Sequence, residues 1–216
     1  MANVLSRAAF VAMGFGAVTT TVEAETAYRG YEAPPYQVER VIGDAEIRLY
    51  GSYINAKVTV RGDQSAALSR GFGVLANYIF GGNTSSASVD MTSPVAQRPS
   101  ESIAMTSPVS QTGGKDDLWT VTFTMPSQYT LETLPAPKAD TIRFVEVPPE
   151  RQLVLRFSGW GRTDALNLQT SNLRQIAEAE GLNISDDPSY YFYDDPLTLP
   201  WNRRNEVAFV LIGAGQ

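Results

Sequence analysis

The chain repeats one order of structural elements, and this repeat limits the folds that it can adopt. Each unit has two stretches of alternating apolar residues, which indicate strands, followed by apolar residues at helical spacing. The units lie about 98 residues apart and comprise strands at 45–50 and 53–60 before a helix from Asp63, and strands at 141–147 and 152–158 before a helix from Thr163. When the second unit is aligned with the first at this spacing, Leu75 aligns with Leu173, so the apolar stripes of the two helices match in phase. The sequence therefore predicts two related halves.

Neither unit can bury one face of a sheet alone, so we expect the halves to join. The predicted fold is α+β: a distorted antiparallel β-barrel made of two pseudo-symmetric β-α-β halves, with two flanking helices. Within the first half, the strands at 45–50 and 53–60 are expected to pair and to turn at Gly51-Ser52. The proline-rich stretch 134–137 connects the halves and is too short to be a domain linker. We expect one domain over residues 25–216.

Composition excludes several classes of function. The chain has no cysteine and no histidine, which excludes disulfides, thiolate metal sites, a Ser-His-Asp triad and the commonest ligand of transition metals. Its net charge is -6, with 17 basic and 23 acidic residues, so nucleic acid is not an expected partner. No metal site and no catalytic residue are predicted.

The first 24 residues are typical of a signal peptide. Arg7 supplies a positive charge, residues 8–18 form a short apolar run, and Val22-Glu23-Ala24 ends in the small-residue pattern read by signal peptidase. The alternative is an amphipathic or buried N-terminal helix. No other apolar segment approaches the roughly 20 residues that a membrane span needs. We therefore expect a periplasmic or secreted protein that is cleaved near Ala24.

The five residues Met-Thr-Ser-Pro-Val occur twice, at 91–95 and 105–109. The apolar residues of the two copies share a phase, so they predict a hairpin that turns at 97–100, with Met91 and Met105 facing one interior. The proline of each copy removes a ladder donor, which favours an edge or a bend. The hairpin either closes one end of a core or forms a methionine-lined wall of an apolar pocket.

Six separated motifs also point to a known family. They are Pro34-Pro35-Tyr36 with Ala45-Glu46-Ile47-Arg48-Leu49-Tyr50, Tyr78-Ile79-Phe80-Gly81-Gly82-Asn83, Met-Thr-Ser-Pro-Val, Phe123-Thr124-Met125-Pro126, Phe157-Ser158-Gly159 and Arg203-Arg204-Asn205-Glu206-Val207. Together, from about Tyr31 to Leu211, they resemble the SOUL haem-binding protein family, and the doubled motif is familiar from its bacterial-type members. The resemblance implies a distorted barrel of two pseudo-symmetric halves. It also implies non-covalent binding of haem or another tetrapyrrole, as a carrier or buffer and not as an enzyme.

The resemblance places the haem site between the first helix and the loop before the last strand. The residues that it implies here are Leu68, Arg70, Phe72, Leu75 and Ala76 of the helix, and Pro196, Leu199, Trp201 and Arg203 of the loop. Apolar and aromatic side chains suit the porphyrin face, and arginines suit the propionates.

This chain departs from the family pattern in two ways. Where animal-type members carry basic residues, it has Ser69, Asn77 and Leu199. Because histidine is absent, an iron ligand must be Tyr, Met or Lys, or haem must bind without one. The oligomeric state is not predicted.

Three other interpretations stay open. The helical stripe of Leu68, Phe72 and Leu75 is also what an ordinary core helix shows. The duplicated fold could form an effector-type binding module for another flat apolar or cationic small molecule, which the acidic charge favours. A carboxylate-based enzyme is the third, with Glu46, Glu206 and Tyr193 as its candidates; their positions in the sequence do not show that they meet.

Overall fold

A computed structural model describes residues 26–85 and 100–213. The predicted signal peptide and the first Met-Thr-Ser-Pro-Val copy lie outside these residues, so the expected hairpin can be followed only along its second arm. Within the described residues, no helix is long and apolar enough to cross a membrane.

The described residues form two helices, α1 (Gln64–Ile79) and α2 (Thr163–Ala179), and a series of strands. The strands are β1 (Ala27–Tyr28), β2 (Tyr31–Glu32), β3 (Tyr36–Ile42), β4 (Ala45–Tyr50), β5 (Tyr53–Arg61), β6 (Asn83–Thr84), β7 (Val109–Gly113), β8 (Leu118–Thr124), β9 (Ala136–Pro137), β10 (Arg143–Val147), β11 (Glu150–Phe157), β12 (Ser189–Phe192) and β13 (Asn205–Val210). Short 3-10 turns lie at Lys115–Asp117 and Pro200–Asn202.

One antiparallel sheet of nine strands carries the fold, in the order β10-β5-β8-β7-β12-β13-β11-β4-β3. The order is symmetric about the β7–β12 pair, since β8 and β13, β5 and β11, and β10 and β4 occupy matching places on either side. The predicted distorted barrel of two related halves with two helices is therefore confirmed.

The expected pairing between the first two strands is wrong. β4 pairs with β3 and β11, whereas β5 pairs with β10 and β8, so each half receives its outer strand from the other. The two-residue connection Gly51-Ser52 still reverses the chain, but it carries the chain from one half to the other. Alternation within each strand shows which face is buried and not which strand lies alongside, so the sequence could not reveal this exchange.

Each helix begins and packs as the sequence indicates. The Asp63 side chain accepts a hydrogen bond from the Ala66 amide at 2.9 Å and caps α1. The apolar stripe of α1 packs on β5 and β8, and that of α2 packs on β11 and β13. Leu75 and Leu173, which correspond in the repeat, are both fully buried. Two apolar cores result, one beneath each helix.

Two connecting segments complete the first core. Leu134, in the proline-rich stretch, is buried there, and the adjacent β9 pairs with β6. In the second arm of the expected hairpin, Ile103 is buried in the same core, and Met105 and Val109 pack against it. The shared phase of these three apolar residues is thus confirmed. β7 begins directly after Pro108, where the missing amide interrupts no ladder.

Candidate functional site

A cleft of about 730 Å³ lies between the N-terminal turns of the two helices. Its position follows from the pseudo-symmetry, because α1 and α2 flank the central strands β7 and β12. The apolar side chains that line it include Leu68, Phe72, Met105, Val109, Leu166 and Phe192. A volume of this size, with mostly apolar walls, is typical of small-molecule sites.

The mouth of the cleft carries three arginines, and two of them have partners within the protein. Arg29 forms an ion pair with Asp194 at 3.0 Å. Arg203 donates to the carbonyl oxygens of Thr198 and Pro196 at 2.7 and 2.6 Å, and its guanidinium lies 4.4 Å from the ring centroid of Trp160.

Arg162, the third, is exposed at the start of α2, and its guanidinium has no hydrogen-bond or ion-pair partner within residues 26–85 and 100–213. Arg29 and Arg203 are therefore used to build the rim, whereas Arg162 is available to an anionic group of a ligand.

Besides Asp194, which pairs with Arg29, a second acidic side chain at the rim opposes these cations. The backbone amide of Leu197 and the hydroxyl and amide of Thr198 bind the carboxylate of Asp195 and lower its pKa. Asp195 therefore stays ionised at neutral pH. An anionic ligand would place its charge towards Arg162 and away from Asp195.

Two glutamine amide atoms in the cleft are unpaired. Gln64 begins α1 and Gln111 lies on β7; both line the cleft, with 8% and 0% of their surface exposed. The Gln111 Nε2 donates to the Gln64 carbonyl oxygen at 2.8 Å, but the Gln64 Nε2 and the Gln111 Oε1 are buried without a hydrogen-bond partner within the described residues. Burying such a donor or acceptor unpaired costs about 1–3 kcal/mol.

The structure brings together four of the residues that the resemblance implied. Leu68 and Phe72 of α1 line the same cleft as Pro196 and Arg203 of the loop. Phe72 is 38% exposed and packs edge-on against Phe123, with 5.4 Å between ring centroids. It is thus both a core contact and a wall of the cleft.

The other implied residues lie elsewhere. Leu75 is fully buried in the core, and the half-buried Ala76 lies outside the cleft lining. Arg70 turns back along its helix and donates to the carbonyl oxygen of Arg61 at 2.5 Å. Leu199 and Trp201 are 52% and 69% exposed and do not line the cleft. Their part in ligand binding stays a prediction.

The face of the sheet away from the helices is polar, and a buried ion network occupies it. The Glu206 carboxylate, 0% exposed, accepts from Arg48 at 3.0 Å, from Arg204 at 2.9 Å and from the Tyr193 hydroxyl at 2.9 Å. Arg48 also binds Glu46 at 2.7 Å. The structure thus brings together Glu46, Glu206 and Tyr193, although they do not face the apolar cleft as a group.

A second cavity, of about 140 Å³, lies on this polar face and is named here the tyrosine cavity. Among its lining residues are Tyr50, Tyr53, Tyr191 and Tyr193. Burial is the main cause that raises the pKa of all four hydroxyls, with the Glu206 carboxylate adding to the effect at Tyr50 and Tyr193. These tyrosines are therefore neutral hydrogen-bonding groups at physiological pH.

Several cleft residues had no signal in the sequence. Phe192 lies on β12, a four-residue strand that was not predicted. Gln111 is a polar residue on β7, a central strand of the sheet that lies where the two halves meet. Arg162 precedes the predicted start of α2 and could be placed at the cleft only once the helix position was known. Met105 was the exception, since the methionine-lined wall was one of two stated alternatives, and it does line the cleft.

No group of three or more Asp or Glu side chains within residues 26–85 and 100–213 is placed to hold a metal ion. Of the described cleft residues, Met105 and Tyr31 carry a thioether and a phenol that can ligate haem iron. A third, Tyr193, already donates its hydroxyl to Glu206.

Comparisons with known proteins agree with this architecture. Residues 31–210 match the family model described as "SOUL heme-binding protein". "Heme-binding protein 1" of Xenopus laevis is 30% identical over 165 residues, covering 74% of this chain and 78% of that protein.

Two solved structures show the same fold. The C-terminal domain of EcmrR has a TM-score of 0.53 at 12% identity and covers 79% of this chain and 98% of that one. A hydrolase from Listeria innocua has a TM-score of 0.51 at 13% identity, covering 78% and 91%. At these identities the two structures are evidence for a shared fold alone.

Proposed function

Because the chain belongs to the SOUL heme-binding protein family, we propose that it binds haem or another tetrapyrrole non-covalently in the apolar cleft between α1 and α2. The observation that carries this proposal is the cleft itself: about 730 Å³, walled by aliphatic and aromatic side chains, with the unpartnered Arg162 at its mouth. A flat macrocycle buries its faces against apolar walls and leaves its propionates at the rim.

The cleft offers haem more apolar contacts for its ring than ligands for its iron. Leu68, Phe72 and Leu166 supply apolar contacts to a ring, and Arg162 supplies a cation for a propionate. Bound haem would bring an iron ion that can exchange electrons and take axial ligands, for which Met105 and Tyr31 are the side chains at hand. We therefore propose that the ring faces, and not an axial bond, hold the ligand.

The proposed role is that of a carrier or buffer and not of an enzyme. Of the candidates for catalysis, Glu46 and Glu206 lie on the opposite face of the sheet, where Arg48 and Arg204 neutralise the Glu206 carboxylate. Tyr193 reaches the cleft but donates its hydroxyl to Glu206. The Glu206 carboxylate is fully buried and already accepts from Arg48, Arg204 and the Tyr193 hydroxyl, so a substrate in the cleft does not reach it as a general base.

We further propose that the protein works outside the cytoplasm, in the periplasm or the secreted fraction, after cleavage near Ala24. The apolar run at 8–18 and the small-residue pattern before Glu25 support export. Sequencing of the mature N-terminus after expression in a Gram-negative host tests this. An intact Met1 in the cytosolic fraction would contradict it.

The site is tested by a matched pair of phenylalanine variants on α1. Phe72→Ala removes an aromatic wall of the cleft, whereas Phe80→Ala removes a 64% exposed ring at the end of the same helix, outside the cleft. We expect Phe72→Ala to weaken the binding of protoporphyrin IX by about 1–3 kcal/mol, and Phe80→Ala to leave it unchanged.

Thermal unfolding of both variants separates the two roles of Phe72. The ring also packs on Phe123, so Phe72→Ala should lower the melting temperature as well. A lower melting temperature with unchanged affinity would show that the stripe is core only and that tetrapyrroles do not bind between the helices.

A further inference from the structure

The unpaired atoms of Gln64 and Gln111 define what kind of tetrapyrrole the cleft suits, and this step rests on the proposed function. One atom, the Gln64 Nε2, can only donate a hydrogen bond, and the other, the Gln111 Oε1, can only accept one. The two residues are in contact, because the Gln111 Nε2 donates to the backbone carbonyl oxygen of Gln64 at 2.8 Å. The lining of the cleft therefore holds one buried donor and one buried acceptor on two residues that touch each other.

A ligand satisfies both atoms only if one edge carries an acceptor and a donor side by side. A lactam or amide edge has this pattern, since its carbonyl oxygen accepts and its N–H donates. A site built with buried polar groups discriminates strongly against analogues that leave those groups unpaired.

Closed-ring and open-chain tetrapyrroles differ at this edge. The periphery of haem or protoporphyrin carries methyl and vinyl groups and ionised propionates, which accept hydrogen bonds but do not donate them, and the ring N–H groups point to the centre of the macrocycle. A closed ring would therefore leave the Gln111 Oε1 unpaired. An open-chain tetrapyrrole ends in two lactam rings, and either of them can pair with both glutamine atoms.

We infer that the cleft prefers an open-chain tetrapyrrole to a closed one, with a terminal lactam ring held by Gln64 and Gln111. Arg162 at the mouth would still bind a propionate, because open-chain and closed tetrapyrroles both carry two. The preference requires no iron ligand, in accord with the absence of histidine from the chain.

Biliverdin and iron-free protoporphyrin IX test this preference directly, because they match in pyrrole count and in propionates and neither contains iron. We expect the mature chain to bind biliverdin at least about tenfold more tightly, equivalent to 1.4 kcal/mol. Equal affinities, or tighter binding of protoporphyrin, would overturn the inference and leave the proposed function standing. Binding of neither compound would overturn both.

A glutamine variant attributes the preference to the cleft. Gln64→Met removes the unpaired donor with little change in side-chain length, so the tenfold ratio should fall towards one, mainly through weaker biliverdin binding. Gln175→Met makes the same change at an exposed position of α2 outside the cleft and should leave the ratio unchanged. Gln111→Met should act on the ratio as Gln64→Met does.

Melting temperatures distinguish recognition from a structural role. If the two glutamine side chains instead pair with each other in solution, Gln64→Met would lower the melting temperature and leave the affinity ratio unchanged, which would overturn the inference. We expect the ratio of biliverdin to protoporphyrin affinity to fall in both cleft variants, and the Gln64→Met protein to melt like the parent.

Discussion

Two glycines of α1, Gly71 on its buried face and Gly73 on its exposed face, should respond in opposite ways to alanine. A Cβ on Gly71 would lie 2.5 Å from the Cγ2 and 2.6 Å from the Cβ of Val121 on β8. A Cβ on Gly73 would meet nothing within 4 Å. Gly71 is thus required where the helix approaches the sheet most closely, whereas Gly73 is an exposed helical glycine with no packing role.

The magnitude follows from two opposing effects. Alanine is preferred to glycine inside a helix by about 1 kcal/mol, and both variants gain this. Only Gly71→Ala also forces two side chains together, and Val121 is fully buried and β-branched, so it has little freedom to move. Overpacking of this kind costs about 1–3 kcal/mol. The difference between the two variants therefore measures the overpacking cost alone.

Thermal unfolding of the parent and both variants provides the assay. Gly73→Ala should raise the melting temperature by about 2–4 °C, and Gly71→Ala should melt about 2–12 °C below Gly73→Ala. Gly71→Ala should also weaken tetrapyrrole binding, because moving α1 off β8 shifts the adjacent Phe72. If Gly71→Ala and Gly73→Ala have the same melting temperature, the close approach of Gly71 to Val121 is refuted.

Three further predictions concern charge and the polar face. Arg162→Gln should weaken protoporphyrin binding roughly two- to fivefold at low salt and less at high salt, whereas Lys115→Gln, an exposed change of equal charge outside the cleft, should not; equal effects would refute a rim contact. Glu206→Gln should cost about 3–5 kcal/mol of stability in denaturant unfolding, because Arg48 and Arg204 lose the buried carboxylate that they share and Arg48 keeps only Glu46 among the carboxylates of the described residues; a near-neutral variant would refute the network's role. Burial holds the pKa of the hydroxyls in the tyrosine cavity above their ordinary value near 10, so the unfolded chain releases these protons first and stability should fall as pH rises above about 10; a free energy of unfolding that stays constant through that range would contradict this.

Patterns of apolar and capping residues along the chain predicted most helices and strands of this fold. They did not predict which distant strands pair. The Asp63 cap, the helix from Thr163 and the strand before Pro126 all depend on neighbours in the chain, so the sequence alone located them. The exchange of outer strands between the halves depends on which edges meet in space. Alternation within β4 and β5 carries no information on that.

The candidate site was predicted in part for the same reason. Leu68 and Phe72 lie on a helical stripe, and their common face follows from spacing. Gln64 and Gln111 meet only because β7 lies beside α1 in the folded chain, and β7 and α1 are separated by the segment that contains the doubled motif. A polar residue in a strand gives no sign in the sequence that it lacks a partner.

Mapping bound protoporphyrin IX by amide chemical shifts of the mature protein tests most directly whether the cleft is the tetrapyrrole site. We expect saturable shifts at the first turns of α1 and α2 and at Met105 and Phe192, with Tyr50, Tyr53 and Asn55 of the tyrosine cavity little changed. Shifts centred on the tyrosine cavity, or no saturable shifts at all, would contradict it.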